Sequence, residues 1–461
     1  MSTLIVGSGL SGLITAINIK TRSPHECVVL IDKPFPEGNS FIAGERIRAG
    51  IASQRSSPVN EIVDLLARRN QMAPTKQMEI FAETLMEEIS FWHQCGVPYS
   101  DKPYWFGPQW GDSKLYGVSR SHSLIRWFRN KATSVGIIFY NLQVVRMLRN
   151  DSFVSKILAM DKDSNIFELE ADNYVLAGGS ATGLLFSSTN RIIHYPPQLL
   201  AYEAGIPLSG STVTMAHPFG FCSKDLLSIP GCYETDAIAD HKVYNVNGHR
   251  LRHIEDLLRK HQAHYRFPQL CSEIWSTGGG VSLVSPNNTQ RMAMVSVHYN
   301  QLGIQTNNGV CVKDMDNLYA VGDASGLNYW TNHKERFPGF AIGNCLVSGR
   351  MCADIICEKS QRTAPVLSSA THTKNVSEAI GFNAKVLQKL REVNTKHLLE
   401  ISLFRHSNIT NSEKWGRELA NVKANQKLSR YENTILSISK AIAYTHRQLT
   451  LGDTEPITIL K

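Results

Sequence analysis

The sequence predicts an α/β protein: a doubly wound nucleotide domain built from two segments, an inserted α+β cap and a carboxy-terminal helical bundle. Three observations carry this. A short apolar run, Ser2-Thr3-Leu4-Ile5-Val6, meets Gly7-Ser8-Gly9-Leu10-Ser11-Gly12 and then a helical pattern from Leu13. Two more apolar runs far downstream, Tyr174-Val175-Leu176-Ala177 and Leu318-Tyr319-Ala320-Val321, also close on glycine. Beyond residue 375 the apolar residues recur at helical spacing, as at Val386-Leu387, Leu390, Val393 and later Ile435, Ile438 and Ile442.

The first run reads as strand, glycine turn and helix. Gly7 permits the tight turn, Gly9 lets backbone approach a pyrophosphate, and Gly12 lets helix pack on strand. Leu10 and Ser11 open the helix whose positive end would receive the phosphates. Cys27-Val28-Val29-Leu30-Ile31 is a second buried strand, and Asp32 ends it twenty residues after Gly12, followed by Lys33. A carboxylate there can accept hydrogen bonds from ribose hydroxyls. This Rossmann-like unit serves NAD or FAD. The choice of FAD comes from Gly322-Asp323, where a carboxylate suits the ribitol hydroxyls of a flavin, and Ala177-Gly178-Gly179 supplies a third glycine-closed strand end.

At 461 residues, two or three domains are expected. No stretch approaches the roughly 18 uninterrupted apolar residues of a membrane-spanning helix. The amino terminus lacks the pattern of a secretory signal, so a cytoplasmic location is expected. Nine cysteines without a CxxC pair read as thiols in a reducing compartment, and no metal site is expected. The formal charge of +8 is concentrated late: from Arg362 to Lys461 there are fifteen Lys/Arg against eight Asp/Glu. That stretch reads as solvated helix faces or as a dock for an acidic protein, and no nucleic-acid partner is expected.

Several segments together resemble the flavoprotein family of succinate dehydrogenase, fumarate reductase and L-aspartate oxidase. Ser40-Phe41-Ile42-Ala43, continuing to Gly50-Ile51, is similar to the family's flavin loop. Met215-Ala216-His217-Pro218-Phe219-Gly220 is similar to its His-Pro-Thr-Gly segment, and Val297-His298-Tyr299 to its His-Tyr segment. Arg336 with Gly339, Ala341 and Ile342 resembles the segment opening a helix under the flavin ring. The resemblance implies that His217, His298 and Arg336 hold substrate carboxylates. It places Glu234, of Tyr233-Glu234, and a proton-transferring arginine, Arg266, in the same site. It also implies residues 1–215 and 296–360 as FAD domain, 216–295 as a reduced cap, and 375–461 as the helical domain. Pro365 and the Ser/Thr-rich stretch to Thr373 read as a linker.

These residue types suit the chemistry. A guanidinium presents a planar donor fork to a carboxylate, and histidines add donors whose charge can follow pH. The expected reaction is hydride transfer between flavin and a carbon–carbon or carbon–nitrogen bond beside a carboxylate. Two alternatives stay open: an aspartate-oxidase-like amino acid oxidase, and a flavin-carrying binding protein without turnover. Ser119 stands where aspartate oxidases carry an acidic residue, which departs from amine recognition by that route. Phe41 stands where respiratory fumarate reductases carry the histidine of a covalent flavin link, so noncovalent FAD is expected. Acid or heat should therefore release free FAD from the purified yellow protein; flavin fluorescence retained by the precipitate is the contrary result.

Overall fold

The computed structural model describes residues 1–32, 40, 46–48, 58–70, 73–97, 99–105, 114–118, 121–181, 196–209, 214–223, 228–233, 236–259, 267–300, 302–325, 340–360, 371–373, 388–394, 396–397, 409–424, 432 and 435–440. The chain opens with β1 (Ser2–Val6), α1 (Leu10–Arg22), β2 (Cys27–Asp32) and β3 (Arg46–Arg48). Next come α2 (Pro58–Asn70), α3 (Lys76–Gln94), β4 (Tyr99–Trp105), β5 (Lys114–Val118) and α4 (Ser121–Ser134). Then follow β6 (Ile138–Asn141), β7 (Gln143–Asn150), β8 (Phe153–Met160), β9 (Ile166–Leu169), β10 (Asn173–Leu176), α5 (Pro197–Glu203) and β11 (Leu208–Ser209). A further group is β12 (Thr214–Cys222), β13 (Ser228–Cys232), β14 (Lys242–Asn245), α6 (Arg252–Arg259), α7 (Phe267–Ser276), β15 (Gly280–Val284) and β16 (Gln290–Asn300). The last elements are β17 (Gly303–Ile304), β18 (Leu318–Ala320), α8 (Phe340–Ser360), β19 (Thr371–Thr373) and α9 (Ile409–Ala424).

The central sheet is parallel, in the order β18-β10-β1-β2-β6. It gathers strands from opposite ends of the sequence because each is apolar on both faces. Leu4, Ile31, Leu176, Leu318 and Ala320 feed one hydrophobic core; their neighbours Ile5, Leu30, Val175, Tyr319 and Val321 feed another. Period-two alternation thus divides β1, β2, β10 and β18 between two cores, while the edge strand β6 stays largely exposed. Helices α1, α2, α3, α4 and α8 fill one of them. The other face meets α5 and strands β7, β8 and β9. Those strands, with β19, form an antiparallel sheet in the order β19-β9-β8-β7. Thr371–Thr373, read from sequence as linker, is therefore the edge strand β19, paired with β9 from Thr371↔Glu168 to Thr373↔Ile166.

A second antiparallel sheet, β13-β12-β16-β15-β14, carries residues 214–300 together with α6 and α7. Glu255 on α6 ties this unit together. Only 1% exposed, it accepts hydrogen bonds from the Val243 backbone (3.0 Å) and from two guanidinium nitrogens of Arg250 (2.9 Å each). The Arg250 bonds hold its carboxyl below the usual range. The stabilisation is present above the ordinary carboxylate pKa and is lost as pH falls through the depressed one. Gly278 and Gly279, with positive φ, end α7: Gly278 N–H donates to Trp275 O and Gly279 N–H to Ile274 O. The triple glycine is a helix stop leading into β15.

Among the described residues, no helix is long and apolar enough to cross a membrane. The carboxy-terminal helical residues do not stand apart. Leu390, Val393, Trp415, Leu419, Ile435, Leu436 and Ile438 belong to the same buried cluster as Ile254, Leu270 and Val295. Within them Trp415, fully buried, stacks on His397 at 5.7 Å, and His397 Nε2 lies 3.2 Å from Glu418. These helical residues thus share one core with the sheet that carries residues 214–300. Deleting residues from 365 onward should give insoluble or flavin-free protein, because it uncovers that cluster; a soluble, yellow truncation product would show that the helices are accessory.

Candidate functional site

The site begins at the carboxyl ends of the parallel strands, where open α/β sheets bind ligands. The turn after β1 is held by Gly7 N–H donating to Ile31 O (2.8 Å) and Ala177 N–H donating to Val6 O (2.8 Å). A Cβ on Gly12 would stand 2.0 Å from the Gly7 carbonyl oxygen, so only glycine allows α1 to start this close to the strand it follows. Gly9 caps α1 without a side-chain bond, and the helix has no acidic residue in its first turn. Leu10 N–H donates to Ser40 Oγ at 3.0 Å, which brings Ser40 to the helix opening. A positive helix end with no acidic residue in its first turn is suited to a pyrophosphate.

Asp32 lies against the same turn. Its Oδ2 accepts from Ser8 N–H (2.7 Å) and from Ser8 Oγ (2.5 Å). The carboxylate thereby braces the glycine loop whether or not it also meets a ribose. On the other side, Gly322 has φ +62°, and a Cβ there would lie 2.7 Å from Ser11 Oγ. Its N–H donates to Ser348 Oγ (2.9 Å), on α8, while Val321 N–H donates to Leu176 O (3.0 Å). The turn carrying Asp323 is thus locked between α1, β10 and α8. Gly178 sits against Pro197, and among the described residues none lies within 4 Å of a Cβ built on Gly179. Ala341, half-buried, and Ile342, buried, lie in the first turn of α8.

His217 and His298 lie on adjacent antiparallel strands. His217 pairs with Ser296, Ala216 with Val297 and Met215 with Tyr299, so His298 is the extra residue of a bulge in β16. A second irregularity falls between His217 and Gly220, where Pro218 has no N–H for the ladder. There Phe219 N–H turns back to donate to His217 Nδ1 at 3.2 Å. A ring nitrogen that accepts a backbone N–H is unprotonated, so this arrangement suits a neutral His217 with its hydrogen on Nε2. Lys33, Ala43, Gly50, Ile51, Glu234, Arg266, Arg336 and Gly339 lie outside the described residues.

Three contributors escaped the sequence reading: Ser8, Ser348 and Gln198. Gln198 is 0% exposed, and its Nε2 faces the backbone oxygens of Gly179 (3.0 Å), Leu302 (3.3 Å) and Asp323 (3.5 Å). No local motif announces it, since two of its three partners lie more than a hundred residues away. The glycine cradle and the amino end of α1 fit a dinucleotide.

Asp32→Ala should weaken cofactor binding by on the order of 1.5–3 kcal/mol if the carboxylate braces the loop and meets the ribose. Ser8→Ala removes only the hydroxyl bond and should cost less. Titration of apoprotein with FAD compares the two, and an Asp32→Ala protein of wild-type affinity would end the ribose assignment.

Comparison with known proteins agrees with this site. Residues 2–214 match the model of the FAD binding domain. A fumarate reductase flavoprotein subunit of Mycobacterium tuberculosis is 23% identical over 264 residues, 55% of this chain and 44% of that protein. The matched region therefore spans less than half the length of that relative. Among solved structures, a chain of E. coli quinol fumarate reductase is similar with a TM-score of 0.71 at 16% identity, covering 96% of this chain and 89% of that one. The Mycobacterium smegmatis Sdh1 complex with UQ1 offers a chain at TM-score 0.69 and 15% identity, covering 97% and 87%. Residues 2–214 thus form an FAD binding domain, with FAD as its cofactor, and the chain as a whole has the fold seen in the fumarate reductase and succinate dehydrogenase structures.

Proposed function

We propose that the chain transfers hydride between FAD and a small substrate bearing a carboxylate, oxidising or reducing the bond beside that group. The observation that supports this reading is the β12–β16 pairing, which brings His217 close in register to the bulge that holds His298. Histidine at both positions, with Arg336 in the sequence ahead of α8, offers the residue types of a donor set for an anion. FAD supplies the hydride acceptor or donor when bound. The Nε2–H of His217, fixed by the Phe219 bond to Nδ1, serves as a donor that needs no positive charge. Arg336 grips the carboxylate through its planar fork, and Arg266 or Glu234 handles the proton on the opposite side of the reacting bond.

In this reading residues 1–215 and 296–360 hold the cofactor, 216–295 close over it, and 375–461 contribute the helical part. The positive excess of the last hundred residues offers a dock for an acidic protein that exchanges electrons with the flavin. FAD is noncovalent, and the site is cytoplasmic.

Fumarate, succinate, malonate or oxaloacetate should perturb the visible spectrum of the bound flavin. Arg336→Lys should weaken that binding by on the order of 2–5 kcal/mol while keeping full FAD content, because an ammonium cannot reproduce the two-bond fork. A wild-type flavin indifferent to every carboxylate, matched by an unchanged Arg336→Lys protein, would leave a flavin carrier without this substrate class.

A further inference from the structure

Gly220 closes the stretch His217-Pro218-Phe219-Gly220 of β12, and what requires glycine there is space. Its φ is not positive, so the backbone conformation itself does not call for glycine. A Cβ on Gly220 would, however, stand 2.1 Å from Ser296 Oγ and 2.3 Å from Ser296 Cβ. The side chain of Ser296, 0% exposed, already fills that space.

The pairing of β12 with β16 places this contact beside His217. His217 lies opposite Ser296, and Gly220 lies opposite Met294. Three steps along β12 thus match two along β16, so Pro218 and Phe219 together stand against the single residue Val295. The extra residue turns both Ala216 and Phe219 toward the core that also holds Val295 and Val297. His217, Gly220, Met294 and Ser296 consequently share the other face of the sheet. On that face Ser296 is opposite His217 and over Gly220. The strand cannot back away to make room. Phe219 is wholly buried in the core, and its carbonyl accepts Tyr233 N–H. A group added at residue 220 must displace Ser296 or β12 itself, and either movement shifts His217.

We propose that Ser296 is a positioning residue: its side chain takes the room left by Gly220 and fixes the lateral seat of the His217 imidazole, as Phe219 N–H fixes the ring at Nδ1. Buried as it is, Ser296 acts through His217 and not on the substrate itself. The inference rests on the reading that His217 meets a substrate carboxylate.

The test exchanges the two volumes in the FAD-loaded protein. Malonate binding is read from the flavin difference spectrum, FAD affinity from titration of apoprotein, and folding from the melting temperature. Gly220→Ala should raise the malonate Kd at least about tenfold while the FAD Kd stays within about twofold. Ser296→Gly empties the space and should raise the malonate Kd about three- to fivefold. The double variant moves the Cβ from residue 296 to residue 220. It should return the malonate Kd to within about threefold of wild type, the non-additive recovery expected of residues in contact. A merely structural contact gives another pattern, in which the single variants melt lower yet bind malonate like wild type. That pattern overturns the proposal, as does a double variant no better than Gly220→Ala alone. Should Gly220→Ala fail to fold, Ser296→Gly answers by itself, since an unchanged malonate Kd contradicts the seating of the imidazole. A wild-type flavin that ignores malonate and the other carboxylates would instead remove the substrate reading, and this inference with it.

Discussion

Everything in this molecule hangs on β1, a five-residue strand with neighbours on both sides and a core on each face. Leu4 and Ile5 are adjacent in sequence but enter separate hydrophobic clusters, one with the antiparallel sheets and one with the helices. A slip of one residue in its pairing with β10 or β2 would exchange the two sets and also move Gly7 off Ile31 O. The strand ends where α1 must begin, and the near-contact of Gly12 with Gly7 O leaves no room for adjustment. The placement of the phosphate-binding turn is thus a direct consequence of register in the sheet.

That part of the fold was legible because its determinants are local. Strand, glycine turn, helix and acid occupy one continuous stretch, and each step follows from apolar run, missing Cβ and helical spacing. The antiparallel sheet of β7, β8, β9 and β19 was not anticipated. Its β7–β8 pair is interrupted by register shifts, β9 has only four residues, and its last member comes from residues whose Ser and Thr content imitates a linker. The role of Gly278 and Gly279 is not legible in the residues themselves, since a helix stop and a hinge use the same residue type. What distinguishes them is where the N–H groups go, and that depends on the helix already being in place.

The candidate site divides in the same way. Residue types at the glycine turns could be read from the chain; the bonds that orient them could not. Asp32 stands at the end of β2 as expected, but its Oδ2 is engaged by Ser8, an interaction that follows only from the approach of the turn. The histidines are a sharper case. Charge-switching donors are what their sequence suggests, whereas the bulge at Pro218 and Phe219 gives His217 an internal N–H to accept. A donor that keeps its hydrogen while neutral holds its bond across the pH range in which a charged one would lose its advantage.

Long-range polar contacts set the remaining geometry, and each is costly to leave half made. Glu88 on α3 is 0% exposed, and burial pushes its carboxyl up. It stays in place because Arg350 on α8 donates at 3.0 Å and Trp92 Nε1 at 2.7 Å. The pair fastens α8 to α3, so the helix whose Ser348 holds Gly322 is itself fixed from the opposite side. Arg350 keeps some exposure and also pairs with Asp354, so its removal costs most through the Glu88 carboxyl left buried without a charge partner, and that loss would reach the cofactor turn through α8. A chain of such contacts, from Glu88 to Arg350, along α8 to Ser348 and on to Gly322, holds the Asp323 turn, to which Gln198 Nε2 adds a contact at the Asp323 carbonyl. Fixing a turn at more than one point leaves its backbone pre-organised for the ligand, so binding spends less of its free energy on ordering the protein.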